Sequence, residues 1–262
     1  MKLSISNIAW EKEYDEQMYS FLQRKNFSGL EIAPTRIIPE APYDYLSDIK
    51  EWAQSLQKNY GLEVSSMQSI WFGRNEQMFK SEGEFQFLLD YTKKAIDFAS
   101  EAHCKNLVFG NPKSRNILSK DDPGRAIDFF RKIGDYASTK GCAIGMEANP
   151  VIYKTNYIND TSSAIQLIKE VHSEGFRLNL DVGTMIYNSE TVDILENHIG
   201  CINHVHISEP FLKPIEERPL HKELALLLRK GHYDRFISIE MGKGEGIEAP
   251  QKAIEYVKEI FG

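Results

Sequence analysis

The residues of this chain best suited to chemistry are Glu147 in AIGMEANP, Asp181 in RLNLDVGT, His206 in INHVHISEP and Glu240 in FISIEMG. They lie 34, 25 and 34 residues apart, each near the end of a short β-like run. Three carboxylates and an imidazole are the donors of a divalent-metal site. An oxygen-rich set of this kind suits Mn²⁺, Mg²⁺ or Co²⁺, and Zn²⁺ also accepts His with carboxylates. Such a site points to an enzyme; the rival reading is a catalytically inert, ligand-binding barrel with a polar mouth.

The register of the four runs supports convergence, because side chains along a strand alternate between faces. Opposite Asp181 stand Leu178, Leu180 and Val182; opposite Glu240, Ile237, Ile239 and Met241; opposite His206, Val205 and Ile207; opposite Glu147, Ile144 and Met146. Each run thus has one apolar face for helices to cover and one polar face for a shared interior.

The elements that position these residues alternate from end to end. KLSISNIAW precedes a helical stretch near Tyr14 to Arg24, GLEIAP precedes Tyr43 to Asn59, LEVSSMQSIW precedes Phe85 to Ala102, and NLVFGNP precedes Gly124 to Thr139. The four ligand-bearing runs are followed by helical patterns at Thr161 to Glu174, Val192 to His198, His221 to Lys230 and Pro250 to Ile260. Eight strand and helix pairs in strict order predict an α/β fold, a single (β/α)8 TIM barrel over residues 1–262. Asp160-Thr161 and Asp121-Asp122-Pro123 read as helix starts, and Gly61, Gly141, Gly175 and Gly200 as helix ends. The long loops, Pro34 to Tyr43, Phe72 to Glu84, Pro112 to Asp121 and Pro210 to Pro219, all fall on the strand-to-helix side, where barrel enzymes build active sites. No G-x-G-x-x-G follows the first strand, which leaves dinucleotide binding without support.

Composition narrows the partners. With 31 Lys plus Arg against 38 Asp plus Glu, a net charge of −7 and no basic run, nucleic acid is not an expected partner. The start, MKLSISNIAWEKEYDE, carries no secretory pattern, and no window approaches the ~18 apolar residues of a membrane span, so a soluble cytoplasmic protein is expected. Cys104, Cys142 and Cys201 are odd in number and widely spaced, and read as buried free thiols.

The motifs M-E-A-N-P, L-D-V-G-T, H-V-H-I-S-E and S-I-E-M resemble those of the xylose-isomerase-like TIM barrels, a superfamily of sugar isomerases and epimerases, inosose dehydratases and the endonuclease IV group. The resemblance covers essentially the whole chain. It implies that Glu147, Asp181, His206 and Glu240 are metal ligands and, as in ketose 3-epimerases, that Glu147 and Glu240 exchange protons with a sugar carbon. Many members carry a histidine three residues after the strand-six aspartate, where this chain has Thr184, and another on strand three, where it has Gln68. A three-metal nuclease site is therefore incomplete, and cleavage of abasic DNA is not expected. The further glutamate that ketose 3-epimerases carry after the strand-five ligand is also missing from Asn149-Pro150-Val151-Ile152-Tyr153.

The remaining candidates surround this centre. His204 shares a face with His206 and suits a supporting hydrogen bond. Glu31 on GLEIAP suits either a substrate hydroxyl or a buried polar network. Trp10 and Trp71, at strand ends, are candidate walls for a sugar ring or else core packing. Lys113 and Arg115 in GNPKSRN and Lys243 in EMGKGEG are candidate anchors for a phosphate or carboxylate, or simply solvated loop charges. The leading functional expectation is a metal-dependent isomerase or epimerase of a carbohydrate or its derivative, working through an enediolate. A hydride shift, or a dehydratase or lyase acting on a polyol or keto acid, would use nearly the same site.

Overall fold

The computed structural model describes residues 1–262. Eight parallel strands close into a barrel in sequential order: β1 (Lys2–Ser6), β2 (Gly29–Ile32), β3 (Glu63–Met67), β4 (Asn106–Phe109), β5 (Ala143–Glu147), β6 (Phe176–Asp181), β7 (Ile202–Ser208) and β8 (Phe236–Glu240). Around them, in chain order, run α1 (Asp15–Arg24), the one-turn α2 (Pro34–Ile37), α3 (Leu46–Tyr60), α4 (Glu82–Glu101), α5 (Asp122–Thr139), α6 (Thr161–Val171), α7 (Val182–Asn188), α8 (Pro219–Lys230) and α9 (Glu248–Phe261). The TIM barrel read from the alternation is the fold observed. None of the helices is long and apolar enough to cross a membrane.

Local chemistry explains several of the boundaries. The Asp160 carboxylate accepts the Ser163 N–H at 2.7 Å while the Ser163 hydroxyl faces back to Asp160, a reciprocal cap that starts α6. Ser81 accepts the Glu84 N–H at 3.1 Å and starts α4, three residues ahead of the expected Phe85. Gly61, at φ 69°, closes α3 in the left-handed conformation that suits glycine.

Several elements differ from the sequence reading. Gly175 lies three residues past His172, which closes α6, and Gly200 lies inside the 3-10 turn Ile199–Cys201, so neither ends a helix as expected; the third strand, read through Trp71, ends at Met67. The first strand stops at Ser6, because Asn7–Ala9 turn into a 3-10 helix whose Asn7 side chain accepts the Ala33 N–H at 3.0 Å. After β6 the helix begins at once, as α7, and Val192–Leu195 form only a 3-10 turn. The cause is Asp181, whose carboxylate accepts the Thr184 N–H at 2.6 Å and caps α7. Gly183 and Thr184 are weak helix formers, so the run after LD lacks a helical signature until that cap is seen.

The apolar core lies between the strands and the helices. Leu178, Leu180, Val205, Ile207, Ile237 and Ile239 are essentially inaccessible there, and the rings of Trp71, Phe109, Phe129 and Phe130 meet edge to face at 4.8–6.0 Å on the α4/α5 side. The barrel interior is polar instead. Ser4, Ser66, Asn106, Asn179, His204 and Ser238 are all at most 1% exposed. Cys104 and Cys142 are buried and Cys201 is half-buried, all three as free thiols.

Candidate metal centre and active site

Strand register assembles the four ligand candidates at the C-terminal end of the barrel. Asp181 pairs with His206, Ser208 with Glu240 and Glu147 with Asn179 on neighbouring strands. One donor atom from each of Glu147, Asp181, His206 and Glu240 lies within 4.8 Å of every other. Gly110, just past the neighbouring β4, lies close against this cluster: a Cβ there would stand 2.9 Å from Glu147 Oε1 and would push that carboxylate aside.

His206 is the hub. Its Nδ1 lies 3.1 Å from Glu147 Oε2 and 3.2 Å from Glu240 Oε2, while Nε2, on the other side of the ring, lies 2.8 Å from Glu31 Oε2. Burial opposes its protonation, yet Glu31 and Glu240 outweigh that and hold the imidazole well above its ordinary range. Glu31 is itself fully buried; burial pushes against its charge, but His206 and His204 pull its carboxyl below the usual carboxylate range. His204 sits beneath, its Nε2 3.4 Å from Glu31 Oε2 and its ring edge-on to His206 at 5.3 Å.

Three carboxylates are crowded around this one imidazole. Burial and then the Glu147 charge push the Asp181 carboxyl up to about 6, against hydrogen bonds from Ser208 and Thr184. Burial raises Glu240 to about 7 despite His206 beside it. Two amides orient Glu147, Asn149 Nδ2 donating to Oε1 at 2.8 Å and Asn179 Nδ2 to Oε2 at 3.1 Å, and Ser208 Oγ donates to Asp181 Oδ2 at 2.5 Å. This donor set, three oxygens and one imidazole nitrogen converging from four strands, fits a hard or borderline divalent cation.

The other sequence candidates fall elsewhere. Trp10 is buried with its Nε1 donating to Asp15 Oδ1 at 2.9 Å, and Trp71 is buried with its Nε1 donating to Thr92 Oγ1 at 2.9 Å; both indoles belong to the packed layers. Arg115 is fully buried, and its guanidinium donates to the Glu147 and Ile158 carbonyls and to Asn149 Oδ1, so it braces the β5 end from behind. Lys243 pairs with Glu11 at 2.6 Å, and Lys113 lies exposed on a surface turn. Thr184 donates through its hydroxyl to the Ala148 carbonyl at 2.8 Å, and Gln68 donates to Ser6 Oγ at 2.8 Å.

Asn149, Asn179 and Ser208 escaped the sequence reading. Each stands two residues from a ligand candidate, in E-A-N, N-L-D and H-I-S, Asn179 and Ser208 on the same strand face and Asn149 just past the end of β5. That period-two spacing is the signal that marks them.

The comparisons agree with this architecture. The family model described as xylose isomerase-like TIM barrel matches residues 20–260. No curated protein matches the chain at the sequence level. Among solved structures, a 3-keto-D-glucoside 4-epimerase from E. coli superimposes with a TM-score of 0.77 at 18% identity, covering 99% of this chain and 98% of that one. A D-psicose 3-epimerase, solved in the presence of D-fructose, gives 0.76 at 15% identity, with 100% and 96% covered. A probable 3-DHS dehydratase from Bacillus anthracis gives 0.69 at 17%, with 100% and 97% covered. At these identities the structural likenesses speak to the fold.

Proposed function

From the premise that this chain belongs to the xylose isomerase-like TIM-barrel family, we propose that it is a metal-dependent isomerase or epimerase of a sugar or sugar derivative, acting by proton transfer at a carbon beside a carbonyl. The observation that carries this reading is the meeting of the Glu147, Asp181, His206 and Glu240 donor atoms within 4.8 Å at the barrel mouth. The epimerase structures that share the fold support the substrate class.

In this reading the four residues hold one divalent ion, Mn²⁺, Mg²⁺, Co²⁺ or Zn²⁺. When bound, such an ion supplies Lewis acidity to neighbouring substrate oxygens and lowers the cost of an enediolate. Glu31 fixes the ligand imidazole: by accepting from Nε2–H it leaves the Nδ1 lone pair directed at the carboxylates, the carboxylate–histidine arrangement that commonly supports metal-bound imidazole.

Glu147 and Glu240 are the proton-transfer pair. Glu147, held by two amide donors, is poised to accept the proton from one side, and Glu240 to exchange one from the other. They rise from β5 and β8, three strands apart around the mouth, and so reach a bound carbon from different directions. Asn149 and Asn179 keep the Glu147 carboxylate from rotating away, and Ser208 does the same for Asp181.

The test is a screen of free, phosphorylated and nucleotide-linked sugars with Mn²⁺-loaded protein in D₂O. Metal-dependent exchange of a carbon-bound proton without loss of water is expected. Product formed with no solvent deuterium would replace proton transfer with a hydride shift, and loss of water would make the enzyme a dehydratase.

A further inference from the structure

The space above the metal ligands is divided. One lobe, of about 220 Å³, is lined by the amide and hydroxyl side chains of Gln68, Ser69 and Asn111 together with Glu147 and Glu240. Asn111 stands in the wall of this lobe, and its Nδ2, shut off from solvent, has no hydrogen-bond partner. The second lobe, of about 170 Å³, shares Pro112, Glu147 and Glu240 with the first and is bounded by Tyr153 and Leu212. Each lobe alone falls below the ~300 Å³ at which ligand pockets usually begin, and the two together exceed it.

The lip of the second lobe is unusual in its backbone. Phe211 sits at φ 63°, ψ 23° and Leu212 at φ 52°, consecutive left-handed residues without a glycine, a conformation costing roughly 1–2 kcal/mol per residue. Three hydrogen bonds hold it: the Phe211 N–H donates to the Tyr153 hydroxyl at 2.8 Å, the Leu212 N–H to the Glu209 carbonyl at 2.9 Å, and the Gly242 N–H to the Leu212 carbonyl at 2.8 Å. The last of these ties the turn to the residue two beyond Glu240. The turn presents the Phe211 ring, 60% exposed, at 5.9 Å from the Tyr153 ring, an apolar shelf in water beside a carboxylate-rich mouth.

No lysine or arginine lines either lobe. Arg115 lies behind β5, and Lys243 and Arg218 pair with Glu11 and Glu209; Lys113, Lys154 and Lys213, next in sequence to lining residues, are exposed and line neither lobe. Three carboxylates around one divalent ion would still leave the mouth negative, so a phosphoryl or carboxylate group placed inside the lobes would meet repulsion with no cation in their lining.

Building on the isomerase reading, we infer that the substrate is an uncharged sugar carrying a second ring, a glycoside or disaccharide. Its reacting sugar lies at the metal ligands with hydroxyls on Gln68 and Asn111, and its appended ring lies against Tyr153 and Phe211. Aromatic faces hold the C–H faces of such rings while the amides satisfy hydroxyls, and the strained turn keeps the shelf in place before the ligand arrives.

The experiment is calorimetric titration of Mn²⁺-loaded protein with matched probes: free hexoses, their phenyl glycosides and their 6-phosphates. A phenyl glycoside is expected to bind roughly 5–10-fold more tightly than its free hexose, the range of one good aromatic contact, and the 6-phosphates more weakly than either. Phe211→Gly, which suits the left-handed backbone and should leave thermal stability intact, is expected to erase the phenyl advantage while free hexose affinity stays the same. Phe211→Ala should do likewise at some cost in stability. Tighter binding of the 6-phosphates, or an equal loss for all probes in both variants, would overturn the inference. Hexoses bound at the metal with no gain from the second ring would also overturn it and leave the isomerase reading standing. A fully metallated protein that binds none of the probes would sink both.

Discussion

The lower and upper halves of the barrel interior are both polar, yet they dispose of buried polarity in opposite ways. Below, neutral groups answer one another: Ser4 meets Ser65 at 2.6 Å, and Asn106 Nδ2 donates to Ser66 Oγ at 3.0 Å and to Asn179 Oδ1 at 3.3 Å. Above, three carboxylates of the ligand set crowd one imidazole, and burial raises Asp181 and Glu240 toward neutrality. A closed network of neutral dipoles is complete as it stands, whereas like charges gathered out of water are costly unless a cation joins them. The lower half is therefore read as structure and the upper half as a site.

The largest effect that would test this division is catalytic. Glu147→Gln and Glu240→Gln, each assayed at saturating Mn²⁺ with measured occupancy, are expected to reduce turnover by about 10²–10⁴-fold. A fully metallated double variant working near the wild-type rate would remove both residues from the proton-transfer role.

Next comes metal affinity. Asp181→Ala or His206→Ala should weaken Mn²⁺ binding by at least about 100-fold without unfolding the barrel, because each deletes a ligand at a strand end and leaves the helix-packed layer untouched. Unchanged stoichiometry and affinity in both variants, read by titration, would show that the ion sits elsewhere. Glu31→Gln should cost about 10–100-fold, the usual penalty for losing the partner of a ligand imidazole. If its affinity matches wild type, Glu31 belongs with the structural half.

The same crowding sets a pH dependence. Asp181 and Glu240 keep their protons up to about 6 and about 7. A metal ion must displace those protons, so apparent affinity is expected to rise with pH through that window, by up to about tenfold per pH unit for each proton displaced, and to go on rising above it while His206 still holds its own proton. Calorimetry in buffers of different ionisation enthalpy should register proton release near pH 6.5. A flat profile would mean the carboxylates are already ionised.

The smallest effect is expected from the lower half. Asn106→Ala breaks the amide network and should cost about 1–3 kcal/mol of stability, seen as a lower thermal midpoint, while Mn²⁺ affinity stays within about twofold. A loss of metal affinity there would erase the boundary between the halves.

The sequence alone determined the barrel and its four ligand candidates, for one physical reason: the strand repeat of two is local. Apolar residues on one parity and Glu147, Asp181, His206 and Glu240 on the other require no knowledge of the rest of the chain. Capping signals at Asp160 and Gly61 are local in the same sense. What a side chain touches across the barrel is not. Glu31 and His206 are 175 residues apart and meet only because β2 and β7 face one axis, which places Glu31 behind the imidazole, where the sequence left open a substrate hydroxyl. Arg115 reads as a loop cation until its loop folds inward and gives the guanidinium three acceptors at the β5 end. For Trp10 and Trp71 the sequence left open a sugar wall or core packing, and the structure buries both indoles in the core, on Asp15 and Thr92. The helix after Asp181 was hidden because a single carboxylate both caps it and lies in the cluster of ligand candidates, and only closure of the barrel brings that cluster together.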